Sequence, residues 1–297
     1  MPPAPPTIPS VSSQCAISLP AFLADVEVLR GPVSCALEVP TARGILWEAS
    51  PGELTLAVPD VARYAVSQGR RVTYDPAPGA TTKEIDWMFR LLPLAALLYQ
   101  RGLLPLHAAG AADDSGAVLL AGGSASGKST LMAELVRRGF KCLGDDVAPV
   151  ELDAQGRPIV LPTYSQVLLW EDADRKLAVE SRPSGMAVGP QRLVDLCDRF
   201  EERARPLKAI FRLTSQDGIA EADSPSTGAD LFRRVTRLLY NSQVCETLAD
   251  RARHLNLAAA VASRVPFHSL PRRGTTWNVP AIADRVLDAL GGRGCRG

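Results

Sequence analysis

The sequence predicts an α/β chain, and three observations carry that prediction. Short alternating stretches bounded by Gly and Pro fill residues 15–76. An apolar strand, a glycine-rich turn and a helix follow one another in "LLAGGSASGKSTLMAELVRRGF" at 119–140. Helical spacing then dominates from about residue 229 onwards.

The elements follow in order. "MPPAPPTIPSVSSQ" reads as a proline-rich, disordered leader over 1–14. "ILWEAS", "ELTLAVP" and "RRVTYDP" read as strands of a small β-rich N-terminal region over 15–80. Within it, "DVARYAVSQG" at 60–69 reads as a short helix ending at Gly69. "PAPGATT" is a loop, and Thr82 is the expected cap of a helix running to about Arg101, interrupted by Pro93. From there a larger domain is expected over 81–290. "LHAAGAA" and "GAVLLAG" are strands joined by the turn "DDSG", and a helix from Lys128 to about Arg138 stops at Gly139. "KCLG", "PIVLP", "QVLLWED" and part of "RPLKAIFRLTS" are further strands. "GPQRLVDLCDRF", "ADLFRRVTRLLYNS", most of 244–264 and 280–290 are expected helices, 216–228 a polar loop, and 291–297 a flexible tail.

Composition narrows the function classes. The formal net charge is +1 over 297 residues, which argues against a broad nucleic-acid surface or a polybasic membrane patch. The leader has no basic start and no apolar core of a secretory signal, and "LLPLAALLY" at 91–99 is too short to span a bilayer. Cys15, Cys35, Cys142, Cys197, Cys245 and Cys295 form no metal-ligand spacing and read as reduced thiols. No nucleic-acid partner, no membrane and a cytoplasmic location are therefore expected; a homo-oligomer is left open.

The chemistry lies between 107 and 146. Gly122, Gly123, Ser124, Ala125, Ser126, Gly127, Lys128 and Ser129, with Thr130 behind them, fit the P-loop pattern G-x-x-x-x-G-K-[ST] in full. Backbone N–H groups of such a loop curl round phosphate oxygens, Lys128 reaches the β- and γ-phosphates, and Ser129 binds Mg²⁺. Asp145 and Asp146 follow Lys128 by 17 and 18 positions. A parallel strand beside the first would bring both to the mouth of the loop, one for the metal and one to take a proton from an attacking hydroxyl. His107 precedes the loop's strand; strand direction alone leaves its place open. Trp170 with Asp172 reads as flanking the substrate cleft, with core packing of Trp170 of equal weight, while Arg205 reads as a solvated strand start and His254 as a surface or packing residue.

"LPLHAAG…GAVLLAGGSASGKSTLMAELVRRGFKCLGDD" resembles the catalytic core of the HPr serine kinase/phosphorylase family, with a similar loop and G-D-D in phosphoenolpyruvate carboxykinases. "VARYAVSQGRRVTYDPAPGA", "QRGLLPLHAAG", "LPTYSQVLLWEDA" and "RPLKAIFRL" are similar to HPr-kinase-related proteins found beside peptide natural-product genes, including lasso-peptide kinases. The resemblance is strong over about 100–175 and weaker over about 45–270. It implies a P-loop core of the HPr-kinase/carboxykinase type, ATP and Mg²⁺ as cofactors, and a peptide or protein serine as acceptor. It implies Asp145 as general base, Asp146 as the metal-linked carboxylate, and His107 set against the base to tune its proton affinity. The family's later glycine- and basic-rich loop has no match beyond "RPSGMAVGPQR" at 182–192, and the N-terminal region is not the usual regulatory domain, so neither HPr itself nor phosphorolysis is expected. The alternatives are a small-metabolite kinase with the same residues and a nucleotide-binding scaffold or regulatory NTPase.

Overall fold

The computed structural model describes residues 15–34, 36–177, 182–214, 227–271 and 278–291. The expected leader, Cys35, most of the polar loop at 216–228, Cys295 and most of the tail lie outside them, as do several side chains of the 182–192 segment.

Six strands build the first sheet: β1 (Glu27–Arg30), β2 (Ala42–Arg43), β3 (Trp47–Ser50), β4 (Glu53–Val58), β5 (Ala62–Ser67) and β6 (Arg71–Pro76), in the order β1-β6-β5-β4-β3-β2. β5 is the segment read as a helix. Its Ala62, Tyr64 and Val66 are buried while the residues between them are more exposed, a period of two that pairs it with β4 and β6. The apolar spacing fits a half-buried strand, and the pairing partners on both sides decide it.

The helix expected over 82–101 is two: α1 (Thr82–Phe89) and α2 (Leu92–Gln100), with Pro93 in the first turn of α2, where its missing N–H costs nothing. The cap is Thr81 rather than Thr82, in a reciprocal capping box with Glu84. α2 is buried along nearly its whole length and shares one apolar cluster with the first sheet.

The second sheet contains β7 (Leu104–Asp113), β8 (Gly116–Ala121), β9 (Lys141–Gly144), β10 (Val147–Leu152), β11 (Pro158–Val160), β15 (Arg205–Thr214) and β16 (Phe267–Pro271). α3 (Lys128–Arg137) connects β8 to β9. Between β11 and β15 the chain forms β12 (Gln166–Trp170), α4 (Glu171–Leu177), β13 (Arg182–Val188) and β14 (Gln191–Asp195), the strands making a third sheet in the order β12-β14-β13. β14 corrects the helix expected from "GPQRLVDLCDRF": Leu193 and Val194 pair with Leu168 and Val167, and only Cys197–Arg199 makes a helical turn. α5 (Gly228–Thr236), α6 (Ser242–Leu248), α7 (Arg251–Arg264) and α8 (Val279–Ala289) complete the described elements. The chain is thus mixed α/β, and among the described residues no helix is long and apolar enough to cross a membrane.

β7 organises the second sheet. It is antiparallel to β8 on one edge, with Ala108 opposite Ala121. On the other edge it pairs first with β9, Gly110 opposite Gly144, and then with β10, His107 opposite Val147. β9 and β10 therefore run as one strand along β7, broken only at Asp145–Asp146. β10 also pairs β11, which pairs β15, which lies parallel to β8, so the strand path closes on itself.

The break at 145–146 depends on Gly144. Its φ is +150°, and a Cβ there would lie 1.9 Å from Thr163 Oγ1. Gly144→Ala is expected to lower stability by about 2 kcal/mol or more, through backbone strain and this clash. Urea unfolding checks this, and a loss under about 0.5 kcal/mol, the scatter of an ordinary surface change, would contradict it.

α3 is anchored by Glu134, whose buried carboxylate receives Arg137 and Arg138; Arg138 also pairs with Asp284 of α8 at 2.5 Å. Burial alone would raise the Glu134 pKa, but the two arginine hydrogen bonds outweigh it and hold the value below the ordinary one. A lowered folded pKa gives stability that is complete above the unfolded value and fades as pH falls through the folded one. Glu134→Gln is expected to cost about 2 kcal/mol at neutral pH, and the difference from wild type is expected to shrink as the pH falls below the ordinary glutamate range. Denaturant titrations across that range test both statements.

Candidate functional site

The glycine loop leaves β8 at Ala121 and ends at α3. Gly122 has φ +154°, and a Cβ there would meet Ser126 Oγ at 2.6 Å and the Leu213 carbonyl at 3.0 Å. Gly127, in the left-handed region at φ +97°, is the N-cap of α3, so the turn into the helix needs no side chain there. The first turn of α3 begins with Lys128 and Ser129, and the helix directs its positive end at the loop.

The register of β7 settles the position of His107. The strand runs away from the loop, yet it starts well before the level at which β8 ends. Ala121 lies opposite Ala108, so His107 is level with the start of the loop on one side and opposite Val147 on the other. Its ring stands between the two.

Five side chains meet there. Lys128 Nζ lies 3.1 Å from His107 Nε2 and donates to the carbonyls of Gly122 at 3.1 Å and Gly123 at 3.2 Å. Lysine only donates, so Nε2 of the neutral ring accepts and the ring proton sits on Nδ1. Nδ1 is 3.2 Å from the Asp146 carbonyl and 3.3 Å from Asp146 Oδ1. Asp145 faces the other way: Ser129 Oγ donates to Asp145 Oδ1 at 3.0 Å, and the Asp146 N–H donates to the same oxygen at 3.1 Å. Asp146 has φ +71°, a turn that separates the two carboxylates. The resemblance sets His107 against Asp145; in the structure the ring meets Asp146 instead.

The environment perturbs each group. Burial, then the Lys128 charge, lowers the His107 pKa despite the pull of Asp146. Burial also lowers that of Lys128, against the attraction of Asp146 and Asp145. Burial and the adjacent Asp146 charge push Asp145 up to about 6, although Ser129 and Lys128 favour its ionised form. Asp146 keeps 37% of its side chain exposed. Both aspartates are half-buried and both line the cleft; what separates them is their partners, Ser129 for Asp145 and His107 for Asp146.

All these groups line one cavity of about 220 Å³, with Ser124, Ala125, Ser126, Gly127 and Thr130 along the loop side. Trp87, Leu168, Gln191 and Trp170 form its remaining wall. Trp170 belongs to the cleft and not to a core, since it is 42% exposed. Trp87 and Gln191 carry no local signal in the sequence, because α1 and β14 reach the site only through tertiary packing. Tyr240, whose ring packs edge-on to His107 at 5.5 Å, is equally silent. Other sequence candidates lie elsewhere. Arg205 pairs with Glu201, and His254 is buried on the carbonyls of Asp250 and Leu103.

No protein-family model matches the chain, and no curated protein matches it. Among solved structures, it is similar to the Hpr(Ser) kinase/phosphatase from Coxiella burnetii, at 14% sequence identity and a TM-score of 0.38, over 63% of this chain and 90% of that one.

Proposed function

We propose that the chain is a kinase that transfers the γ-phosphoryl group of Mg·ATP to a hydroxyl, with the serine of a peptide or protein, such as a natural-product precursor, as the favoured acceptor. The observation that carries this reading is the division of two carboxylates in one cleft: Asp145 on Ser129, Asp146 on His107. The acceptor class rests on the sequence resemblance alone.

The glycine loop acts as a P-loop in this reading. Its backbone N–H groups and the start of α3 receive the phosphates, and Lys128 turns from the Gly122 and Gly123 carbonyls to the β/γ-oxygens. Ser129 and Asp145 offer a hydroxyl and a carboxylate on the same side, an oxygen donor set suited to Mg²⁺. Bound there, the ion would offset the negative charge of the phosphates. Asp146 then takes the proton of the acceptor hydroxyl, because Asp145, on the same cleft, is engaged by Ser129 on the metal side. His107 acts on it by position: its Nδ1 proton is held by the Asp146 main-chain carbonyl, which fixes the turn that carries the carboxylate, and Oδ1 lies 3.3 Å away. These roles exchange the two aspartates relative to the family resemblance.

Three variants test the scheme. Lys128→Ala is expected to weaken Mg·ATP binding at least about tenfold, the size of one charge-assisted contact, by calorimetry; unchanged affinity would end the P-loop reading. Asp146→Asn is expected to keep Mg·ATP binding and lower single-turnover transfer by about 10²–10⁴-fold. Asp145→Asn is expected to raise the Mg²⁺ concentration needed for half-maximal transfer, because an amide oxygen is a poorer ligand for a hard cation. If Asp145→Asn abolishes transfer with its magnesium dependence intact while Asp146→Asn transfers normally, the assignment is reversed. The transfer assay uses γ-labelled ATP with precursor peptides, sugars and free serine. Labelled phosphoserine in peptide supports the acceptor class, and label in sugar or serine alone overturns it.

A further inference from the structure

The cleft over Lys128 has a neighbour. A second cavity of about 290 Å³ lies against the same loop, sharing Ala125, Ser126, Gly127, Thr130 and Trp170 with the first. Its composition differs. Leu131 of α3, Leu213 at the end of β15, and Val279 and Ile282 of α8 make an apolar floor, and all four are buried. Trp170 stands at the boundary of both cavities. At the rim, Asp172 and Lys176 of α4 face each other at 3.7 Å, each with half or more of its side chain in water. A pair this exposed adds little to the stability of α4 and exchanges partners readily.

An apolar floor, one aromatic ring and an acceptor beside a donor do not suit inorganic phosphate. They suit a flat heteroaromatic ring with a polar edge. The shared wall also fixes the direction of the whole ligand, since a chain of phosphates passing over Gly127 joins the two cavities.

We propose that this second cavity seats the nucleobase of the phosphoryl donor, so that the donor is a nucleoside triphosphate and not an inorganic polyphosphate; the proposal rests on the phosphotransfer reading above. Trp170 stacks on the base, Leu131, Leu213 and Ile282 take its opposite face and edge, Asp172 accepts from an exocyclic amino group, and Lys176 donates to a ring acceptor. The same ring of Trp170 then borders both base and transferred phosphate, coupling donor seating to the cleft of His107 and Asp146.

The test compares Mg·ATP with Mg·tripolyphosphate by calorimetry on the full chain. Wild type is expected to bind ATP at least about tenfold more tightly than tripolyphosphate. Trp170→Ala removes an exposed ring and is expected to cost ATP about 5- to 150-fold, the range for loss of a base–aromatic stack. Val279→Phe, which fills the cavity from its floor, is expected to act in the same direction, with a thermal melt to establish that the variant is folded. Tripolyphosphate affinity is expected to stay within about twofold in Val279→Phe, whose position lines the second cavity and not the phosphate cleft. Equal losses for both ligands, or wild type binding them equally, overturn the base seat while leaving the P-loop reading intact. Failure of wild type to bind either ligand overturns both.

Discussion

The register of β7 is the constraint on which the site depends. One ten-residue strand holds the end of β8 on one edge and the β9–β10 break on the other, so that His107 lies between loop and aspartates. A slip of one residue would turn His107 to the opposite face and move the glycine loop out of line with Asp145 and Asp146. What prevents the slip is packing. Ala109 and Ala111 are buried under α3 in one cluster, while Leu104, Leu106 and Ala108 are buried in another beneath α5 and α7. Each side of the strand carries its own apolar set, and neither set tolerates exchange with the other.

Around that strand the sequence concentrates ionisable groups that burial does not favour. Lys128 and His107 are both driven toward their neutral forms, and Asp145 toward protonation. Their arrangement limits the cost. Lys128 has two loop carbonyls and a histidine nitrogen, Asp145 has a hydroxyl and a backbone N–H, and the His107 ring proton has the Asp146 carbonyl. Such clustering of perturbed groups in a cleft is typical of functional sites. It contrasts with Glu134, fully buried, whose two arginines satisfy it on the side of α3 facing α8 and leave nothing for a ligand.

Much of this was legible in the sequence because the signals were local. The loop, the helix behind it, the hairpin before it and "KCLG" all follow from residues adjacent in the chain, and the structure keeps their order. What failed was decided at a distance. "DVARYAVSQG" becomes a strand because β4 and β6 flank it, and "QRLVD" becomes β14 because β12 offers a partner. The neighbour of His107 was equally beyond reach. Asp145 and Asp146 differ by one position, and only the left-handed turn at Asp146 sends their side chains to different partners. Trp87 and Gln191 of the cleft wall come from α1 and β14, and Tyr240, against the His107 ring, from the connection between α5 and α6, with no shared pattern.

The short interval between Lys128 and the aspartates has a geometric cause that differs from the sequence expectation. β9 does not lie beside β8. It runs in the same direction, but β7 is between them. The crossover must therefore span two strand spacings, about 10 Å, which is close to the diameter of an α-helix with its side chains. A single short helix laid over β7 makes that step without any further connection. It can lie close because the strand beneath it presents the small side chains of Ala109 and Ala111. The small residues of "LHAAGAA" thus serve the carboxylates as much as the hairpin: they bring α3 down onto the sheet, shorten the return of the chain, and deliver Asp145 and Asp146 to the loop within one helix and one four-residue strand.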